Sequence, residues 1–277
     1  MEAVRGITEV FMEKEQQTES PAAVRISKYF TDCGLLSRRA AEAAITDGDI
    51  TVNGIPAVLG QKIIPGKDSV CYRGTPVLSR AQETGYRYLM LNKPRGYVTT
   101  LSDERGRKTV ATLCASAGVR VYPVGRLDMD SDGLLLLTDD GVFAQRLTHP
   151  SHPIAKYYEV TLRGQVDDKT LQALSLPHLL DGYRTHPAEV VRLNGSGAPD
   201  TRVGITLHEG RNRQIRRLCA AHGLQVLRLC RTALLCENGK AVRLGNLPVG
   251  KWRDLTKGEI NLLKGNGTYA GSTSDTE

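Results

Sequence analysis

Long apolar runs are missing from this chain, and no stretch approaches the roughly 20 residues that a membrane-crossing helix needs. The opening segment MEAVRGITEVFMEKEQQTES carries acids and glutamines where a secretory leader would carry an apolar core, so a cytoplasmic protein is expected. The cysteines, at positions 33, 71, 114, 219, 230 and 236, include no C-x-x-C pair. Zinc-ribbon and thioredoxin-like readings therefore have no support, and the mostly apolar settings of the thiols predict reduced, buried side chains. No internal repeat is visible, and strands and helices do not alternate regularly.

What is present is ordinary for a globular protein: 277 residues, 40% hydrophobic and 24% charged, enough for one large domain or two unequal ones. The net charge of +7 leans toward a nucleic acid or another acidic surface without choosing between them. The clustering of the arginines says more than the total.

Residues 1–23 and 264–277 read as polar tails. Residues 24–80 read as a small module. Ile26, Tyr29, Phe30 and Cys33 fall at helical spacing, and Gly34 can close that helix. Ser37 can cap a second helix from Arg38 to Ile45, and Asn53-Gly54 between apolar residues signals a hairpin. Gly74 to Gly85 reads as a linker. Residues 86–263 form a larger region, with strand patterns at 88–91, 134–137, 157–162, 203–207 and 226–229 and helical patterns at 141–147, 168–174 and 212–221. This order predicts an α+β fold: a helix-helix-hairpin module followed by a domain on a mixed or antiparallel sheet.

Four constellations could carry chemistry. Arg38 and Arg39 open a helix, where the macrodipole disfavours cations unless an anion joins them; RNA phosphate would serve, and a solvated surface pair is the bland alternative. The loop from Gly125 to Gly133 crowds Asp128, Asp130 and Asp132 against an apolar run. That spacing, with Asp139 at the twelfth place, mimics a calcium loop. However, Pro123 and Gly125 break the segment where an entering helix is required, the following Leu run is strand-like, and Asp replaces the bidentate Glu. Asp128 is the candidate reacting carboxylate, with a structural turn as its alternative; Asp130 and Asp132 read as solvated or capping residues. Arg211, Arg213, Arg216 and Arg217 concentrate charge at a helix opening, suited to phosphate, or for one of them to a buried aspartate. Tyr158 could stack on a base or simply fill the core, and Lys93 lies in a basic loop that could touch RNA or merely turn the chain.

The segment S-K-Y-F…C-G-L-L-S-R-R-A-A-E-A-A-I…G-D-I-T-V-N-G resembles the S-four RNA-binding domain. The motifs L-N-K-P-R-G, V-G-R-L-D-M-D-S-D-G-L-L-L-L-T-D-D-G, K-Y-Y-E-V, E-G-R-N-R-Q-I-R-R and G-K-W-R-D-L-T, in this order, resemble the bacterial rRNA pseudouridine synthases of the RsuA type. The wording of N-R-Q-I-R-R and K-W-R-D-L-T is closer to the large-subunit RluB and RluF types. The resemblance implies an isomerase that flips out a uridine, breaks its N-glycosidic bond and rejoins the base through carbon 5, without metal or organic cofactor. It implies that Asp128 is essential, that Tyr158 lies over the base, that Arg216 pairs with Asp128 and that Arg126 helps hold the displaced RNA. Lys93, Arg211, Arg213 and Arg217, with Arg38 and Arg39, are the remaining expected RNA contacts. Ribosomal RNA, 23S or an assembly intermediate, is the expected partner of a monomer.

Overall fold

The computed structural model describes residues 23–78, 85–149, 154–195, 197–236 and 239–265. Both expected tails lie almost wholly outside the described residues, as do residues 79–84 of the expected linker. The chain divides into two compact units, before and after residues 79–80.

In the small unit, β1 (Val24–Arg25) leads into α1 (Ile26–Asp32), then α2 (Arg38–Thr46), β2 (Ile50–Val52), β3 (Ile55–Pro56), β4 (Lys62–Ile63), β5 (Val70–Tyr72) and β6 (Thr75–Pro76). The Ser37 hydroxyl accepts from the Ala40 amide at 3.1 Å, giving α2 the cap its sequence suggests. Asn53 and Gly54 both take positive φ, 52° and 79°, as a tight two-residue hairpin turn requires. Phe30, Ile26, Ile45, Ile50 and Ile63 fill the core between the helices and the strands. Each such fully buried side chain contributes about 1.5–3 kcal/mol. The linker reading starts too early: Thr75–Pro76 pairs with β5, and Val77 is buried, its carbonyl accepting from the Tyr29 hydroxyl at 2.8 Å. Cross-strand pairing and one buried apolar residue outweigh the turn-like composition there.

The large unit runs β7 (Tyr88–Lys93), α3 (Val110–Leu113), β8 (Tyr122–Val124), β9 (Asp132–Thr138), α4 (Gly141–Thr148), β10 (Ala155–Leu162) and α5 (Asp168–Leu174). It continues with β11 (Leu179–Leu180), β12 (Tyr183–Arg184), β13 (Glu189–Arg192), β14 (Thr201–Leu207), α6 (Gln214–Ala221), β15 (Val226–Leu235), β16 (Ala241–Arg243), β17 (Trp252–Asp254) and α7 (Lys257–Leu263). The main sheet has the order β13-β14-β10-β15-β9-β7-β17, with β16 on β15 and β8 on β9.

This sheet consists of two antiparallel blocks joined at one short parallel seam. The seam pairs Cys230 with Asp132 and Arg231 with Gly133. Gly133 has φ 107°, and a Cβ there would lie 2.2 Å from the Arg231 carbonyl oxygen. Only glycine lets the two backbones meet this closely. The unbroken Leu run of β9 follows from burial on both faces. Leu134 and Leu136 pack with Phe143 and Leu147 of α4, whereas Leu135 and Leu137 pack with Val110 and Val121. Asp140 then caps α4 through the amides of Val142 (3.0 Å) and Phe143 (2.9 Å). Cys33, Cys114, Cys219 and Cys230 are buried.

Some boundaries differ from the sequence expectations. The strand expected to end near Leu229 runs to Leu235, because its second half pairs with β16 and with the start of β10. The helix expected from Asn212 begins at Gln214, since Arg213 adopts a left-handed φ of 49°.

Candidate active site

The Asp128 loop sits at the mouth of the β9–β15 seam, just before β9 begins. Leu127 anchors it inward, 6% exposed, and is tied to the buried Thr99, whose hydroxyl donates to the Leu127 carbonyl at 2.7 Å. The Ser131 amide closes a turn onto the Asp128 carbonyl at 3.1 Å. The Asp128 carboxylate itself stays 27% exposed. A carboxylate on a loop fixed by main-chain bonds is well suited to hold one geometry during a reaction.

Lys93 does the fixing from beneath. It is fully buried, and its ammonium donates to the carbonyls of Asp128 (2.9 Å), Ser131 (2.8 Å) and Pro94 (3.1 Å). Burial pushes its pKa down to about 8, against the pull of Asp132, Asp128 and Asp130. The expectation that Lys93 touches RNA is therefore corrected. As the last residue of β7 it points inward against the acidic loop.

Arg216 meets Asp130, not Asp128. Its Nη2 donates to the Asp130 carbonyl at 2.9 Å, and its Nε lies 3.2 Å from the Asp130 carboxylate, at an angle too poor for a hydrogen bond. Arg213 grips the same carboxylate with two bonds of 3.1 and 2.8 Å and approaches the Asp128 carboxylate at 3.9 Å. Burial opposes the ionisation of Asp130, but the Arg213 bonds and the Arg216 charge outweigh it and hold its pKa below the ordinary carboxylate value. The turn at residues 128–131 carries Asp130, two residues on, toward α6, and this decides which aspartate the arginine reaches. Asp130 is thus a structural anchor instead of a solvated residue. Asp132 is buried in β9 and paired with Arg228 at 2.7 Å, so it is not solvated either. With Asp132 in a strand and Asp139 bound to the Arg87 amide at 2.7 Å, the calcium-loop alternative fails on geometry.

A cleft of about 830 Å³ opens above this loop. Asp128 and Arg126 line it from the β9 side, and Tyr158, Arg211 and Arg213 from the β10–α6 side. Its lining holds five Lys or Arg side chains against two carboxylates, so it favours a polyanion. Arg211 lies over the Tyr183 ring, 3.3 Å from its centroid, and the Tyr183 hydroxyl donates to Glu209 at 3.0 Å. The β11–β12 hairpin thereby forms a wall of the cleft. Arg216 and Arg217 stand outside the lining, with Arg217 bound to Asp181 at 2.6 Å. In the small unit, Arg38 and Arg39 are both exposed on the first turn of α2. Sequence reasoning missed Lys156, Arg231, Tyr183 and Glu209; the Lys two residues before Tyr158 was the one available signal, since strand alternation puts both on one face.

Known proteins resemble the chain in both sequence and fold. A family model described as RNA pseudouridylate synthase matches residues 87–221. An uncharacterized RNA pseudouridine synthase of Aquifex aeolicus is 40% identical over 244 residues, covering 87% of this chain and 93% of the relative. The ribosomal large subunit pseudouridine synthase B of Bacillus subtilis is 37% identical over 242 residues, covering 87% and 95% respectively. A crystal structure described as pseudouridylate synthase superposes with a TM-score of 0.59 at 32% identity, covering 87% of this chain and 99% of that one.

Proposed function

Since the chain belongs to the RNA pseudouridine synthase family, we propose that it converts one uridine of large-subunit (23S) ribosomal RNA, free or in an assembly intermediate, to pseudouridine. The C1′–N1 bond breaks, the uracil turns, and a C1′–C5 bond forms. C5 gives up its proton as N1 gains one, so the formula is unchanged.

One observation carries this reading: Asp128 and Tyr158 line one cationic cleft from opposite sides of the β9–β15 seam. An ionised Asp128 can serve as nucleophile or base toward the sugar or the base, and the Arg213 guanidinium stands 3.9 Å from its carboxylate. Tyr158 offers a ring face for the extruded uracil. Arg216 acts as a positioning residue through Asp130. Extruding a nucleotide from folded RNA costs a few kcal/mol. Phosphate contacts from Arg126, Arg211 and Arg213, and from Arg38 and Arg39 of the small unit, offset it. The protein would act as a monomer, and ribosomal RNA as substrate implies a cytoplasmic site of action.

The test is Asp128→Asn. This variant should bind rRNA as the wild type does and form no pseudouridine; wild-type turnover would remove Asp128 from its role. Mapping pseudouridine in ribosomal RNA with and without the protein identifies the target, and an unchanged 23S pattern would refute the large-subunit assignment.

A further inference from the structure

Four cations in the cleft lining have no carboxylate partner among the described residues; Arg126 and Arg211 are exposed to solvent, and the other two are not. Arg231, on β15, is only 5% exposed, and its Nε donates to the Leu134 carbonyl at 2.8 Å. Lys156, on β10, is half-buried, and its ammonium donates to the Ile154 carbonyl at 2.9 Å. Carbonyls satisfy some of the protons but bring no opposing charge. Burial, and then the Arg231 charge, push the Lys156 pKa down to about 8. Three nearby arginines, by contrast, each have a carboxylate: Arg228 has Asp132, Arg213 has Asp130, and Arg217 has Asp181. Unanswered cations this close together are costly to bury unless an anion joins them.

The register says where that anion would be. Arg231 is the β15 partner of Tyr158, and Lys156 precedes Tyr158 by two residues on the same face of β10. The two cations therefore flank the tyrosine. Gly210 passes over Lys156, where a Cβ would lie 3.9 Å from the lysine Cε, and it contributes no side chain to cover the ammonium. Uridine has no anionic group of its own at neutral pH. The anion that travels with it is a phosphodiester. We propose that Lys156 and Arg231 form a phosphate subsite in the cleft floor, which takes the phosphodiester adjoining the extruded uridine. The subsite rests on the uridine-binding reading of the cleft and adds the group that seats the nucleotide beside Tyr158.

The test is calorimetric titration of the full chain with uridine, uridine 5′-monophosphate and uridine 3′-monophosphate at neutral pH. One monophosphate should bind at least about tenfold more tightly than uridine, the worth of roughly one charge-assisted hydrogen bond. Lys156→Met, similar in length, should abolish that preference while leaving uridine affinity and the melting temperature unchanged, and Lys156→Arg should keep it. Equal binding of the three compounds, binding of none, or an undiminished preference in Lys156→Met overturns the subsite. Pseudouridine formation in an rRNA transcript, run alongside, separates the two readings. Turnover without phosphate preference sinks the subsite alone, whereas preference without turnover on any rRNA sinks the functional reading and leaves the subsite standing.

Discussion

Replacing Gly133 by alanine should damage stability and turnover together, because this glycine lies where the two blocks of the sheet join. A Cβ at this position would stand 2.2 Å from the Arg231 carbonyl oxygen, 2.8 Å from its amide nitrogen and 3.0 Å from its carbonyl carbon. All three are backbone atoms, so no rotamer change relieves the clash. Carbon atoms rest about 3.5–4.0 Å from their neighbours, so the strands must part by roughly 1 Å or more. Overpacking of this kind costs about 1–3 kcal/mol. A non-glycine residue at φ 107° adds about 1–3 kcal/mol of backbone strain. The total of about 2–6 kcal/mol corresponds to a fall in melting temperature of roughly 5–20 °C for a unit of this size. Opening the seam also moves Asp128 away from Tyr158 and Arg213, and a 1 Å misplacement can cost about 100-fold in rate. Calorimetry and pseudouridine formation measure the two effects. Gly164→Ala is the control: φ there is 73° with nothing within 4 Å, so only about 1–2 kcal/mol of left-handed strain is expected. If Gly133→Ala melts with Gly164→Ala and turns over at the wild-type rate, the close approach of β9 and β15 is not what holds the site.

Removing Arg38 and Arg39 together should weaken RNA binding and flatten the plot of log affinity against log salt by about 0.7–0.9 for each phosphate no longer neutralised; an unchanged slope would mean that the small unit touches no phosphate. Arg216→Ala should lower kcat about 10–100-fold with little change in KM, since the arginine holds the loop and not the substrate, and pairing it with Asp130→Asn should give much less than the product of the single effects. Strict multiplicativity in steady-state kinetics would break that link. Lys93→Met should expose a pH effect. The folded-state pKa of Lys93, about 8, lies below its ordinary 10.5, so between those values the unfolded chain holds more protons and this group adds stability as pH rises. Denaturant titrations should therefore show the wild type gaining on Lys93→Met by up to about 3 kcal/mol across that window; a constant difference from neutral pH to 10.5 would refute the depressed pKa.

Much of the molecule is legible residue by residue. Ser37 before an alanine-rich segment and Asn53-Gly54 between apolar residues are local signals, and each forms the cap or turn it encodes. The Leu run of β9 and the glycine-bounded Asp128 loop were equally visible, because side-chain chemistry and short-range spacing suffice to read them. The short strands β13, β16 and β17 were not visible, since they exist only through pairing with distant partners.

The amino-acid order alone determined that an acidic loop precedes a buried strand, that an arginine-rich segment opens α6, and that Tyr158 sits on a strand, all consequences of patterns a few residues long. Which aspartate meets Arg216, why Lys93 is buried, and how Lys156 and Arg231 come to flank Tyr158 were decided only in three dimensions. These depend on the register of β10 against β15 and on the seam at Gly133, where residues far apart in the chain are brought within hydrogen-bonding distance and no local spacing records their pairing.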